Sequence, residues 1–248
     1  MTKRSGLGDR LLVGGRNLSG DIGSIGRVGG GPSALDVTGI DKSAFERIGG
    51  LRDGAIEFSA WFNPSPGQAH PVLKGLPTSD VLVTYLRGAA LGVPAACCVA
   101  KPVNYDADRG DDGGLAFGVQ ALANGFGVEW GELNTDGIRT VLGGTSSTNG
   151  LDAGAPSTFG FQAYLHVLDF AGTNVSIRLQ ESSDDGVGDV YADVTGGVFT
   201  TVTAAPFTER IAASPATLER YTRVRSSGTY TSVTFAVVLV RNQSAVKF

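Results

Sequence analysis

Apolar and polar positions alternate along much of this chain with a period of two, which is the signature of strands with one buried face. In Ile56-Glu57-Phe58-Ser59-Ala60-Trp61-Phe62, one face carries Ile56, Phe58, Ala60 and Phe62 and the other carries Glu57, Ser59 and Trp61. Leu115, Phe117, Val119 and Ala121 alternate with Ala116, Gly118 and Gln120. Phe159, Phe161, Ala163, Leu165 and Val167 share a face, and Val175, Ile177 and Leu179 alternate with Ser176, Arg178 and Gln180. Shorter strand-like runs fall at 35–38, 81–87, 95–101, 126–130, 138–142, 190–194, 198–203, 209–212, 221–225 and 233–240, separated by turn residues. One segment has helical spacing instead. Ala69, Val72, Leu73 and Leu76 recur as on a helix face, with Pro71 tolerable in the first turn and Gly75 and Pro77 as stop signals. The fold class read from this pattern is all-β with one short helix.

The pattern also suggests an order of parts. Residues 1–33 read as an extended N-terminal arm, rich in Gly, Ser and Arg, that docks through Leu11, Leu12, Val13, Ile22 and Ile25. Residues 34–145 form a first β domain, 146–157 a linker, and 158–248 a C-terminal β-sandwich or jelly-roll-like domain. Within the first domain, Leu35 to Thr38 reads as a strand and Ile56 to Phe62 as its return. Between them lies a polar, glycine-punctuated excursion, Gly39 to Gly54. It carries Lys42, Phe45, Glu46, Arg47, Ile48, Leu51 and Arg52, a mixture suited to contact with another copy of the chain.

Composition narrows the function classes. The chain has 248 residues, 37 of them Gly and one Met, which suits many short strands and tight turns. No apolar run approaches the roughly 18 residues of a membrane span, and the N-terminus lacks the apolar stretch of a signal peptide. The net charge is −4 but uneven: residues 1–33 hold five basic against two acidic residues, and residues 34–145 hold eight against thirteen. A basic arm on an acidic body favours contact between copies over binding of nucleic acid. The two cysteines, Cys97 and Cys98, are adjacent and poorly placed to bridge, so a reduced compartment is expected. With only two His, no metal site and no cofactor are expected.

No motif calls for catalysis. Gly29-Gly30-Gly31-Pro32 is not a phosphate loop, because no Lys-Ser or Lys-Thr pair follows. His70 and His166 lie far apart, and no Ser/His/Asp set emerges. Asp106, Asp108, Asp111 and Asp112 read as a solvated turn, since Gly110 stands at the third calcium-ligand position and no Glu closes the loop. Arg220, Arg223 and Arg225 read as a solvated or interfacial strand face, with an anion site as the sharper alternative.

Several runs carry a resemblance. They are Leu35-Asp36-Val37-Thr38, Ala44-Phe45-Glu46-Arg47, Gly50-Leu51-Arg52-Asp53-Gly54, Ile56-Glu57-Phe58-Ser59-Ala60, Gln68-Ala69-His70-Pro71-Val72-Leu73 with Leu76-Pro77-Thr78, and Gly114 to Ala121. In order and composition they resemble the major tail proteins of long, non-contractile-tailed bacteriophages, over roughly residues 30–131. The resemblance implies a tail-tube-type β-sandwich or partial barrel. Six copies would form a ring, and rings would stack into a tube that conducts DNA. It implies an inter-ring loop bearing Lys42, Phe45, Glu46, Arg47, Leu51 and Arg52, and arm contacts through Arg4, Arg10, Arg16 and Arg27. Glu57, Ser59 and Gln120 become candidates for the lumen. Partners would be other copies, the tape measure, tail terminator and tail tip proteins, with DNA only in transit and no membrane. The location would be the virion tail, after synthesis in the host cytoplasm. If the arm is a separate element, deleting residues 1–31 leaves a folded protein that cannot lengthen tubes. Two rivals remain: another virion component, such as a decoration or tail-tip protein, and a carbohydrate-binding jelly roll in residues 155–248.

Overall fold

A computed structural model describes residues 5–76 and 79–244. Arg4, Pro77 and Thr78 lie outside the described residues. The chain is all-β, with one helix of little more than a turn, α1 (Ala69–Leu73). In chain order the strands are β1 (Arg10–Val13), β2 (Arg16–Asn17), β3 (Ile22–Gly29), β4 (Pro32–Asp36), β5 (Arg47–Arg52) and β6 (Ala55–Trp61). After the helix come β7 (Val81–Leu86), β8 (Pro94–Pro102), β9 (Asp106–Arg109), β10 (Leu115–Leu133), β11 (Arg139–Val141), β12 (Ser146–Ser147) and β13 (Leu151–Asp152). The last four are β14 (Phe161–Ser182), β15 (Ala192–Val198), β16 (Phe207–Ala213) and β17 (Tyr221–Arg241). Two compact units interleave in sequence: one takes 1–20, 84–97 and 130–248, the other 21–83 and 98–129.

The larger unit is organised around β14. It pairs antiparallel with β17 along its whole length, with β16 over 161–167 and with β15 over 178–181. β17 in turn pairs with β11, β12, β13 and the end of β10. A straight strand of this length would span about 70 Å. Yet Phe161, Ala163, Leu165 and Val167 from its first half share one buried cluster with Val175, Ile177 and Leu179 from its second. Val233, Phe235, Val237, Leu239 and Val224 of β17 join them. The paired strands must therefore fold back over their own core. The fold is placed by bulges between Val167 and Asn174. There a Cβ on Gly172 would overlap the Tyr230 backbone, so only glycine lets the two strands approach.

The other face of β14 is buried as well, through Gln162, Tyr164 and His166. His166 Nε2 lies 2.9 Å from Thr84 Oγ1, and His166 Nδ1 has no partner. Burial alone pushes the His166 pKa down to about 3.

Residues 5–20 are part of this unit rather than a free arm. Leu11, Leu12, Val13 and Leu18 are fully buried, β1 pairs with β2, and the Asp9 carboxylate accepts hydrogen bonds from Tyr85 Oη and from Arg87 Nη1 at 2.8 Å. The reason is physical. An apolar run such as Leu11-Leu12-Val13 gains about 1.5–3 kcal/mol per large side chain on burial, and the chain's own core supplies the site. Residues 146–157 likewise do not behave as a linker, since β12 and β13 complete the ladder along β17. Their Gly, Ser and Thr composition reflects tight turns between very short strands.

The smaller unit contains strands in the order β3-β6-β10-β9, all antiparallel, and β8 also pairs with β10. Ile56, Phe58, Ala60, Val119 and Ala121 are buried on one face, along with Ala69 and Leu73 of α1. The helix is fixed at its start by Asp21. That carboxylate accepts the Ala69 backbone N–H at 2.9 Å and the Asn63 side-chain amide at 2.8 Å. Part of the acidic segment 104–114 is strand, as β9 pairs with β10; only Gly110 to Gly114 form the turn. Cys97 and Cys98 are both buried, one in each unit. Desolvation, with the nearby Glu129 and Asp53 charges, pushes the Cys98 thiol up to about 12.

Candidate assembly surfaces

The most unusual feature of the smaller unit is the segment from Pro32 to Arg52. The sequence reads its second part as loop, but Arg47 to Arg52 form β5. With β4 it makes a two-stranded hairpin separate from the main sheet. Ile48-Gly49-Gly50-Leu51 lacks the alternation that marks the other strands, so pairing with β4 reveals it where the pattern does not. Leu35 pairs with Ile48 and Asp36 with Arg47. The tip is braced locally. Thr38 donates its N–H to Asp36 Oδ1 at 3.0 Å, and the Glu46 N–H donates to Thr38 Oγ1 at 2.9 Å. The Thr38 hydroxyl, which donates to Asp36 Oδ1 at 2.5 Å, and then the Thr38 N–H hold the Asp36 carboxyl below its usual range. Lys42 Nζ lies 3.6 Å from Glu46, and the Arg47 guanidinium sits 4.6 Å above the Phe45 ring.

The hairpin buries almost nothing. Ile40, Phe45 and Leu51 are 109%, 69% and 88% exposed, and Leu35, Val37 and Ile48 are each about half exposed. Strand parity puts Leu35, Val37 and Ile48 on one face and Phe45, under the Arg47 guanidinium, on the other, while a register shift between Gly49 and Arg52 breaks the alternation at Leu51. A free two-stranded hairpin is marginal in water, and this one presents apolar side chains on both faces. Its base is tight: a Cβ on Gly30 would overlap the Asp53 carbonyl and Gly54 Cα. Arg52 Nη1 lies 3.9 Å from the buried Glu129 carboxylate.

Of the residues assigned to the inter-ring loop, Lys42, Phe45, Glu46, Arg47, Leu51 and Arg52 thus fall on one hairpin. The arm residues do not fall together. Arg10 and Arg16 are half-buried on β1 and β2 of the larger unit, while Arg27 is exposed on β3 of the smaller one. The lumen candidates do converge. Gln120 pairs across from Glu57, and Gly118 across from Ser59, so all three named side chains share one face. With Ser24, Gly26 and Asn104 they line a shallow depression of about 260 Å3. Trp61 lies on that same face, half exposed, against Gly23.

Sequence reading missed an aromatic group in the smaller unit. Tyr105 and Phe117 stack at 4.2 Å, and His70 lies 4.8 Å from the Phe62 ring with its Nδ1 3.2 Å from Tyr105 Oη. Of the three clustered arginines, Arg220 forms a bidentate pair with Asp152 at 2.7 and 2.6 Å. Arg223 donates to Gln180 and stacks on Tyr191 at 3.9 Å. Among the described residues no cluster of metal-ligating side chains occurs, and no helix is long and apolar enough to cross a membrane.

No family model matches this chain, and no curated protein does. Similar solved structures exist among virion and tail proteins. A chain in the virion of a native gene transfer agent particle matches at 12% identity and a TM-score of 0.40, covering 52% of this chain and 98% of that one. The Dit protein of SPP1, described as a hub of the adsorption apparatus in phages infecting Gram-positive hosts, matches at 11% identity and 0.32, covering 93% and 98%. A family 6 carbohydrate-binding module matches at 11% identity and 0.23, covering 56% and 84%. Likenesses at these scores assign neither family nor role to this chain.

Proposed function

We propose that this chain is a structural protein of a phage tail, a ring-forming subunit whose rings stack into the tail tube, with no catalytic role. One observation carries the reading: the isolated hairpin of β4 and β5, with apolar side chains exposed on both faces. Such an element reaches full burial only when inserted between surfaces of other molecules. The resemblance of residues 30–131 to major tail proteins supplies the identity of those molecules, namely copies of the same chain. A ring of copies also gives the edges of the smaller sheet neighbours to pair with. The face bearing Glu57, Ser59 and Gln120 then serves as the lumen, whose depression carries the Glu57 carboxylate and no lysine or arginine to attract DNA phosphates.

The test is self-assembly of the purified full-length chain, read by light scattering and negative-stain electron microscopy. Rings or tubes are expected. Phe45→Ala with Leu51→Ala should raise the concentration needed for assembly by tenfold or more, because each side chain contributes about 1.5–3 kcal/mol when buried. Unchanged assembly of the double variant would remove the hairpin from the account.

A further inference from the structure

The larger unit contains a cleft that the assembly reading does not use. It is lined by Trp130 and Glu132 of β10, by Leu151, Asp152 and Pro156, and by Arg241 near the end of β17. Its volume is about 490 Å3, within the range of about 300–1,000 Å3 typical of small-molecule sites.

The chemistry of the walls is specific. Trp130 is 49% exposed, so much of its indole is open to a ligand. The Glu132 side chain is exposed, and its carboxylate charge reaches the Arg241 guanidinium. Asp152 is held in place by the two bonds from Arg220 and by the Gly154 N–H at 2.7 Å. Arg241 is anchored through Nη2, which donates to the Glu219 carbonyl at 2.6 Å, while its Nη1 is buried with no partner.

These features select among ligand classes. Glu132 and Asp152 repel an anion, and Arg241 repels a cation. A lipid chain gains little from a cleft whose walls carry two carboxylates and a guanidinium. A neutral pyranose fits each group. Its C–H face carries partial positive charge and meets the negative face of an indole. Its hydroxyls can donate to Glu132 and Asp152 and accept from Arg241.

We propose that this cleft is a binding site for a neutral oligosaccharide, with Trp130 as the stacking platform, Glu132 and Asp152 as hydroxyl acceptors and Arg241 as donor. The inference stands apart from the assembly reading, and a chain carrying Phe45→Ala and Leu51→Ala should bind sugar unchanged.

The chain has two tryptophans, so Trp61→Phe leaves Trp130 as the sole reporter. Its fluorescence is titrated with neutral gluco-, xylo-, manno-, galacto- and chito-oligosaccharides of two to four units. The expected result is a saturable change with at least one series, at a Kd of about 1 mM or tighter. By calorimetry on the same sugar, Glu132→Gln should weaken binding about tenfold and Trp130→Ala should abolish it. No saturable response to any series, or undiminished binding by both variants, would overturn the proposal. A Trp130 signal that follows protein concentration and ignores sugar would also overturn it, by making the cleft a contact between copies.

Discussion

His166 makes the larger unit sensitive to acid, by an amount that follows from its surroundings. The imidazole is fully buried on β14, faces the Thr84 hydroxyl, and is held neutral by desolvation, with a pKa near 3. In the unfolded chain the same group takes up a proton near pH 6.5. Between those values the unfolded state binds more protons than the folded one, so stability falls as pH drops below about 6.5. At pH 5 the loss from this residue is about 2 kcal/mol, and below pH 3 it approaches roughly 5 kcal/mol. His166→Gln keeps a partner for Thr84 but removes the titration. Urea unfolding of the unassembled chain, followed by near-ultraviolet circular dichroism at pH 7.5 and 5.0, measures the difference. Carboxylate effects are common to both proteins and cancel. The wild type should lose about 2 kcal/mol more than the variant over that interval. Equal losses would show that the buried imidazole is not what separates the folded and unfolded proton affinities.

Other predictions follow from the same packing. Removing residues 1–21 deletes buried Leu11, Leu12, Val13 and Leu18 together with the Asp21 clasp on α1. The truncated chain should therefore fail to fold cooperatively, seen as loss of a sharp thermal transition, in contrast to an arm whose loss blocks only assembly. Gly30→Ala should disorder the hairpin base while sparing the larger unit, visible as faster amide exchange confined to residues 30–54. Phe45→Ala with Leu51→Ala should shift monomer stability by no more than about 0.5 kcal/mol, because both side chains face solvent, even as assembly weakens.

The strands were legible wherever a two-residue period had one dry face, as in Ile56 to Trp61 and Val175 to Leu179. Helix α1 was legible because Pro71 and Gly75 bracket a short apolar spacing. The period does not reveal strand continuity. β14 keeps its odd-numbered residues in the core on both sides of a largely exposed stretch, 169–173, while β17 switches from even (Val224) to odd (Val233, Phe235) across its bulges, so each reads as two strands. Domain boundaries were hidden for a related reason: strands distant in sequence pair, and the two units interleave. Among site residues, the facing of Glu57, Ser59 and Gln120 follows from alternation, but their meeting depends on the β6–β10 register. The arm arginines were grouped by charge alone, and the burial of neighbouring leucines distributes them over different elements. The cleft at Trp130 had no sequence signal, since its walls come from three separate strands. Asp36-Val37-Thr38 could have revealed the braced tip, because an Asx side chain bonding two residues ahead is a local pattern.

The account depends most on whether the hairpin of β4 and β5 is covered by other copies of the chain. Hydrogen exchange at residues 32–52, measured below and above the concentration at which the purified protein begins to scatter light, reads this directly. The account predicts rapid exchange in the dilute protein and strong protection in rings or tubes. Assemblies in which this segment still exchanges freely, or a protein that stays monomeric at every concentration tried, would contradict it.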